Sequence, residues 1–184
     1  MVRQVSEVNY YRTVQDYTMN YRDRYMAENT AWLLEYYPDE KVVLWAHNAH
    51  IANDPAYGSI GFNLKNTLAD EYTTVAFMFS QGKFTVVGFE EEKLVGLGEQ
   101  TIDTPPVATS LNGVFSNASH ATFTVAVSDL QRHEVWNDYF TQGTTYLSIG
   151  AGYNDQPSDY YFGFGPTRYD RIIYFDQTTA SIPF

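Results

Sequence analysis

The sequence predicts an α/β fold: a mixed, mostly parallel sheet with flanking helices and a long N-terminal helix. Three observations predict it. Helix-spaced aromatic and apolar residues run through the first 37 positions. Residues 42–46, Val-Val-Leu-Trp-Ala, are apolar without alternation, the pattern of a strand covered on both faces as in a parallel sheet. Beyond them, β-branched and aromatic runs of strand length alternate with helix-spaced segments, with one hairpin among them.

Taken in order, residues 4–37 read as one helix. Tyr10, Val14, Tyr17, Tyr21 and Tyr25 step by 4, 3, 4 and 4, and Arg22, Met26, Asn29 and Leu33 form a second stripe beside them. Pro38 closes the helix, because its ring disfavours the α conformation at Tyr37. A terminal helix of this length suits a projecting arm or a chain cut from something larger. The strand at 42–46 follows, then a loop marked by Asn53-Asp54-Pro55 and Gly58. Ile60, Leu64 and Leu68, four apart, predict a short helix over 59–70. Residues 72–79 read as a strand, 80–83 as a turn, and 84–89 as the returning strand of a hairpin. Residues 96–106 read as a linker. It separates two lobes, 1–95 and 107–184, of a single domain spanning 1–184. The second lobe is predicted to hold a helix over 107–117, a strand over 122–127 and a helix over 132–140, followed by strands over 146–149 and 168–175.

Composition narrows the function. The 184 residues carry 11 basic and 22 acidic side chains, a formal charge of −11. Such a chain repels phosphate backbones and anionic lipid, so neither nucleic acid nor a membrane is an expected partner. The absence of Cys excludes disulfide scaffolds, thiolate zinc sites and cysteine nucleophiles, and leaves the redox compartment unread. No apolar run approaches the ~18 residues of a membrane span, and the first residues lack the apolar stretch of a secretory signal. The compartment is therefore unknown, with the cytoplasm as the default expectation. The 16 Tyr suit a core with amphipathic rims, or a surface for carbohydrate or partner contact.

The histidines carry the chemistry. His47 and His50 lie in Trp45-Ala46-His47-Asn48-Ala49-His50, directly after the predicted buried strand. In open α/β sheets, ligands bind beyond the carboxyl ends of strands. Two imidazoles there suit proton transfer, oxyanion stabilisation or metal binding. The competing reading is one His satisfied by a backbone carbonyl and one exposed. A metal needs a third ligand; Asp54 is near in sequence, but no His-Glu-x-x-His pattern exists. There is no Gly-x-Ser-x-Gly elbow, and none of the three Gly-x-Gly pairs continues to a nucleotide-binding fingerprint. Arg22 is either an ordinary solvated partner of Asp23 or, sharing a stripe with Met26, Asn29 and Leu33, directed into the protein with an anionic or carbonyl partner. His120 and His133 read as structural.

Together these blocks resemble a family. Arg22-Asp23-x-x-Met26-Ala27-x-Asn29 on a helix, followed by the Trp45 to His50 block, is similar to the erythromycin esterase family, which also includes succinoglycan biosynthesis proteins. Gly61-Phe62-Asn63-Leu64-Lys65, Val75-Ala76-Phe77-Met78-Phe79, Ser148-Ile149-Gly150-Ala151 and the segment Tyr169 to Asp176 fit the same resemblance, in order along nearly the whole chain. The resemblance implies a bacterial hydrolase of a small-molecule carboxylic ester or lactone, with a histidine-based site and no metal or cofactor. Family members are longer, and their N-terminal half carries a Gly-Glu-x-x-His-Gly motif whose His is taken as the general base. That motif is missing here; Gly98-Glu99-Gln100-Thr101-Ile102 has no His. The resemblance therefore implies a C-terminal half, a domain fragment inactive alone, with the missing N-terminal half as partner and self-association through the long helix. His47 and His50 would orient water or stabilise the oxyanion. Arg22 would hold a carboxylate of the site charged, on the substrate-binding side, and Asn48 would fix the loop or donate a hydrogen bond. The rival expectations are a non-catalytic binding or accessory module, and a metal-dependent hydrolase using His47, His50 and an acidic ligand.

Overall fold

The computed structural model describes residues 21–90 and 93–182. The chain divides into two compact units, residues 1–74 and residues 75–184. Both helices and mixed sheet are present, so the α/β class of the sequence reading holds. Among the described residues, no helix is long and apolar enough to cross a membrane.

The first unit is helical: α1 (Tyr21–Tyr36), α2 (Asn48–Ile51) and α3 (Ile60–Leu68), the last running into a 3₁₀ turn over Ala69–Glu71. α1 ends where Pro38 predicts, and the Tyr37 amide closes its last turn on the Leu33 carbonyl at 2.9 Å. The predicted helix upstream of Tyr21, with Tyr10, Val14 and Tyr17, lies outside the described residues. The covered face of α1 carries Asp23, Ala27 and Thr30, one position round from the predicted Arg22 stripe. Ala27 and Thr30 are small, so α3 approaches closely there, while the long Arg22 side chain reaches solvent. α3 starts at Ser59, whose hydroxyl accepts the Phe62 amide at 3.2 Å, a regular N-cap. Its second residue must be glycine, because a Cβ on Gly61 would overlap the carbonyls of Ile51 and Ala52. The core of the unit is Ala27, Ile60 and Leu64, with Met26, Leu44, Leu68 and Tyr72 packed against it.

Residues 42–46 are not the doubly covered strand that the sequence predicts. They belong to no sheet among the described residues. Leu44 packs on the helical core, but Val43 is 88% and Trp45 84% exposed. The apolar run carries strand propensity, yet the second cover and the neighbouring strands that the pattern calls for are not supplied by described residues.

The second unit holds β1 (Val75–Glu90), β2 (Lys93–Ile102), α4 (Leu111–Phe115), β3 (Thr122–Ala126), α5 (Val127–Gln131), α6 (Glu134–Thr141), β4 (Thr144–Leu147), β5 (Gly152–Tyr153), β6 (Tyr161–Phe164) and β7 (Arg171–Thr178). The main sheet runs β2-β1-β7-β3, with β5 also beside β1, and β4 pairs β6 separately. The expectation of a mostly parallel sheet is corrected. β1 is parallel to β7 and, briefly, to β5, whereas β1–β2, β3–β7 and β4–β6 are antiparallel. Glu90 pairs with Lys93 across a connection far too short for a parallel crossover.

The predicted turn at 80–83 and the linker at 96–106 are also corrected. β1 runs unbroken through 80–83 and changes partners there, from β7 before Gly82 to β2 after it. Gly82 has φ +116° and lies so close to the Thr178 backbone that a Cβ would overlap it, so the glycine serves a bend and not a reversal. Residues 96–102 form most of β2, an edge strand, where polar residues and glycine keep one side solvated.

Neutral polar groups organise this unit. The Asn112 side chain, fully buried, donates to the Phe79 carbonyl at 2.7 Å and accepts the Leu147 amide at 2.8 Å, joining α4 to β1 and β4. Ser80 donates to the Asn112 carbonyl at 3.1 Å and lies 2.5 Å from the Tyr174 hydroxyl. The Tyr146 and Tyr169 hydroxyls meet at 3.0 Å. Val86, Ile102, Leu147 and Tyr153 form an apolar core alongside.

Two measurements check this account. Asn112→Ala strands a buried carbonyl and a buried amide, at about 1–3 kcal/mol for each group. Urea unfolding should show a loss of about 2–4 kcal/mol, and a loss under about 0.5 kcal/mol would refute the clamp. Burial raises the Tyr169 phenol above its ordinary value of 10.0 and pushes Tyr174 up to about 12. Above pH 10 the unfolded chain releases phenolic protons that the folded chain keeps. Stability is therefore fully present below pH 10 and falls as pH rises toward 12. Near-ultraviolet titration should show a late phenolate class that merges with the rest once urea unfolds the protein.

Candidate functional site

The site is built from three helices of the first unit around one carboxylate. Asp23 projects from the covered face of α1 and is fully buried. A carboxylate placed there requires donors. Its Oδ2 accepts the Ile60 amide at 3.2 Å and lies 2.7 Å from His50 Nδ1. Ile60 is the first residue of α3, where the amides lack intrahelical acceptors and the helix dipole favours negative charge. The Arg22 guanidinium stands 3.8 Å from Oδ1, with its side chain 60% exposed.

The hydrogen bonds assign the tautomers. An amide can only donate, so Oδ2 is an acceptor, and His50 carries its proton on Nδ1. In the neutral ring, Nε2 of His50 is then an acceptor. The His50 side chain is 24% exposed, so it is in contact with solvent. His47 has the opposite arrangement. It caps α2, and its Nδ1 accepts the Ala49 amide at 3.2 Å, which places the ring hydrogen on Nε2. The sequence block thus presents one imidazole that accepts and one that donates.

The surrounding loop fixes His50. The Ile51 carbonyl accepts the Tyr72 hydroxyl at 3.1 Å, and the Ala52 carbonyl accepts the Ser59 hydroxyl at 2.5 Å. Asp54 Oδ1 accepts the amides of Ala56 and Tyr57 at 3.1 and 3.2 Å, a turn that brings the Tyr57 ring 6.1 Å from the His50 ring. Asn48 opens α2, half-buried, and its carbonyl accepts the Ala52 amide at 3.0 Å.

Each predicted site residue can now be placed. His50 and Arg22 both meet Asp23, one from the protein side and one from solvent. His47 does not end a central strand; it caps a four-residue helix after the exposed 42–46 segment. Asn48 lies between the two histidines. His120 and His133 are exposed in the other unit. Asp54, the nearest carboxylate in sequence, is occupied by loop amides, and among the described residues no group of three His, Asp or Glu is arranged for a metal ion. Sequence reasoning missed the partnership of Asp23 with His50, 27 positions apart. The available signal was the stripe Asp23, Ala27, Thr30, in which an acidic residue shares a face with two small ones.

Comparison with known proteins identifies the fold and the family. The fold is similar to that of a crystallographically solved succinoglycan biosynthesis protein, with TM-score 0.72 and 24% identity over 89% of this chain and 40% of that one. A Bacillus cereus protein of solved structure gives TM-score 0.69 and 16% identity, over 89% of this chain and 39% of that one. A mutant of the erythromycin esterase EreC in its open conformation gives 0.57 and 16%, over 85% and 37%. The chain spans about 40% of the length of the first of these solved structures. No curated protein matches it. The sequence matches the erythromycin esterase family over residues 2–178, nearly its whole length, and the chain belongs to that family.

Proposed function

We propose that this chain supplies the imidazole part of a site that hydrolyses carboxylic esters or lactones, and that the general base and much of the substrate cavity come from polypeptide it does not include. The observation that carries this reading is the buried Asp23 carboxylate 2.7 Å from His50 Nδ1. A carboxylate in that position holds an imidazole in one tautomer and one orientation, with Nε2 left as the acceptor. His50 Nε2 accepts a hydrogen bond from the attacking water and aligns its lone pair, and the water's other proton passes to the base of the other half as the C–O bond to water forms. Collapse of the tetrahedral intermediate then breaks the ester C–O bond, and the protonated base returns its proton to the departing alkoxide. His47 Nε2–H donates to the carbonyl oxygen as it becomes an oxyanion. Arg22 supplies positive charge on the solvent side of Asp23, and Asn48 sets the spacing between the two rings. No cofactor enters these steps. The family membership and the partial coverage of longer relatives support the division of labour between two halves.

The test is hydrolysis of an activated ester and of a macrolactone. The 184-residue chain alone should not exceed the uncatalysed rate. Joined behind the N-terminal part of a family member, it should turn over. His50→Ala in that chimera should lower kcat by about 10²–10⁴-fold. Asp23→Asn should lower it by about 10²-fold or more with KM little changed, because the amide no longer enforces the tautomer. Robust turnover by the isolated chain that survives His50→Ala would overturn the reading. Turnover abolished by a chelator would transfer the site to a metal-dependent mechanism.

A further inference from the structure

We propose that the groove between α1 and α3 is a saccharide-binding site, which takes a neutral mono- or disaccharide against the Trp32 ring. The groove has a volume of about 410 Å³, within the about 300–1,000 Å³ range of small-molecule sites. Two exposed rings mark it. Trp32, which lines the groove, is 57% exposed, and Tyr36, one turn on, is 63% exposed. The two rings stack with centroids 5.3 Å apart and planes 25° apart, forming one extended aromatic surface. Rings left in water on a helix face add little to the core, and flat amphipathic rings of this kind serve contact. The polar lining is in place before any ligand arrives. Asn63 Nδ2 donates to the Gly58 carbonyl at 3.1 Å and to the Ser59 carbonyl at 2.8 Å, which fixes the side-chain amide and leaves its oxygen as an acceptor. Thr67 donates to the Asn63 carbonyl at 3.0 Å and keeps its own lone pairs. Asn66 and Glu35 are exposed, and neither side chain is hydrogen-bonded to a described residue.

The same lining says what the occupant is. Arg24 is compensated by Glu28, its Nε donating to Oε1 at 2.9 Å, and Glu35 adds a further negative charge. Phosphates and carboxylates are therefore repelled here, as they are by the chain as a whole at −11. Acceptors dominate, since Glu28, Glu35, Asn63 and Thr67 all offer oxygens. The matching ligand is rich in O–H donors, carries no anion, and has an apolar face to lay on Trp32. A pyranose has both features, with hydroxyls around its rim and C–H bonds on its faces. A simple ammonium ion suits the charge, but its preferred setting is a cage of several rings. Trp32 is the one aromatic residue among the described residues that line this groove. A docking helix calls for an apolar groove, and this lining is mostly polar. The inference is independent of the hydrolase reading, because Asp23, His47 and His50 line no part of the groove.

Titration of the 184-residue chain with cellobiose, maltose and lactose tests the proposal, followed by NMR. At least one of these sugars should shift the Trp32 indole N–H together with the Asn63 and Asn66 side-chain amides, saturating at millimolar concentration. Trp32→Ala should weaken that binding at least about tenfold and leave thermal melting unchanged. Asn66→Ala, on the opposite wall, should weaken it about threefold or more. Glu35→Gln keeps an acceptor, so it should change sugar binding by less than about threefold, whereas capture of a cation would be lost with the charge. Glucose 6-phosphate and tetramethylammonium should not compete. Absence of groove shifts with all three sugars would overturn the proposal. So would shifts that persist undiminished in Trp32→Ala, or tighter binding of tetramethylammonium than of any sugar. A drop in melting temperature of Trp32→Ala with binding retained would make the ring structural and overturn it as well.

Discussion

The first unit depends on how one buried carboxylate is satisfied. Desolvating Asp23 costs several kcal/mol unless donors replace the lost water. Those donors come from two other helices: the imidazole of α2 and the first amide of α3. Each condition on the local sequence follows. Ala27 and Thr30 must be small for α3 to approach α1, Ser59 must cap α3 so that its amides point at Asp23, and Gly61 must lack a Cβ for the carbonyls after His50 to lie against it. The hydrogen bond that orients the imidazole is also the tie that holds the helices together.

Much of this was legible in the sequence. Pro38 marked the end of α1, the four-residue spacing of Ile60, Leu64 and Leu68 marked α3, and the pair of histidines between Trp45 and His50 marked the candidate site. These signals are local, and local sequence dictates caps, stops and periods. What escaped is set by tertiary contact. Ser-Gln-Gly-Lys at 80–83 has the composition of a turn, but Ser80 is buried against Asn112 and Tyr174, and Gly82 is a close approach to Thr178. Asp23 looked like half of a surface ion pair with Arg22. Only the packing of α1 on α3 shows that Asp23 is buried while Arg22 approaches it from the solvent side.

The two units treat buried polarity differently, and the difference separates structure from chemistry. In the second unit the buried polar groups of the clamp are neutral: Ser80, Asn112 and the tyrosine hydroxyls, each tied to backbone or to one another. Networks of that kind select one packing among many at small electrostatic cost. Among the described residues Asp23 is the one fully buried carboxylate. A hydrophobic residue of similar size would serve the α1–α3 contact equally well or better. A buried charge beside a partly exposed imidazole is the kind of arrangement that the proposed chemistry calls for and that the helix contact alone does not require.

That same imidazole, His50, is held from more than one side. A side chain contributes to catalysis in proportion to how firmly its geometry is held before the substrate arrives. His50 is held by Asp23, Ile51 and Ala52 are held by Tyr72 and Ser59, and His47 caps α2 through its own ring nitrogen. The orientation of the His50 ring is therefore set by contacts made within the first unit, from a carboxylate on one helix and from the backbone of the loop that follows it, and a ring fixed in that way meets the condition that any proton-transfer or hydrogen-bonding role would place on it.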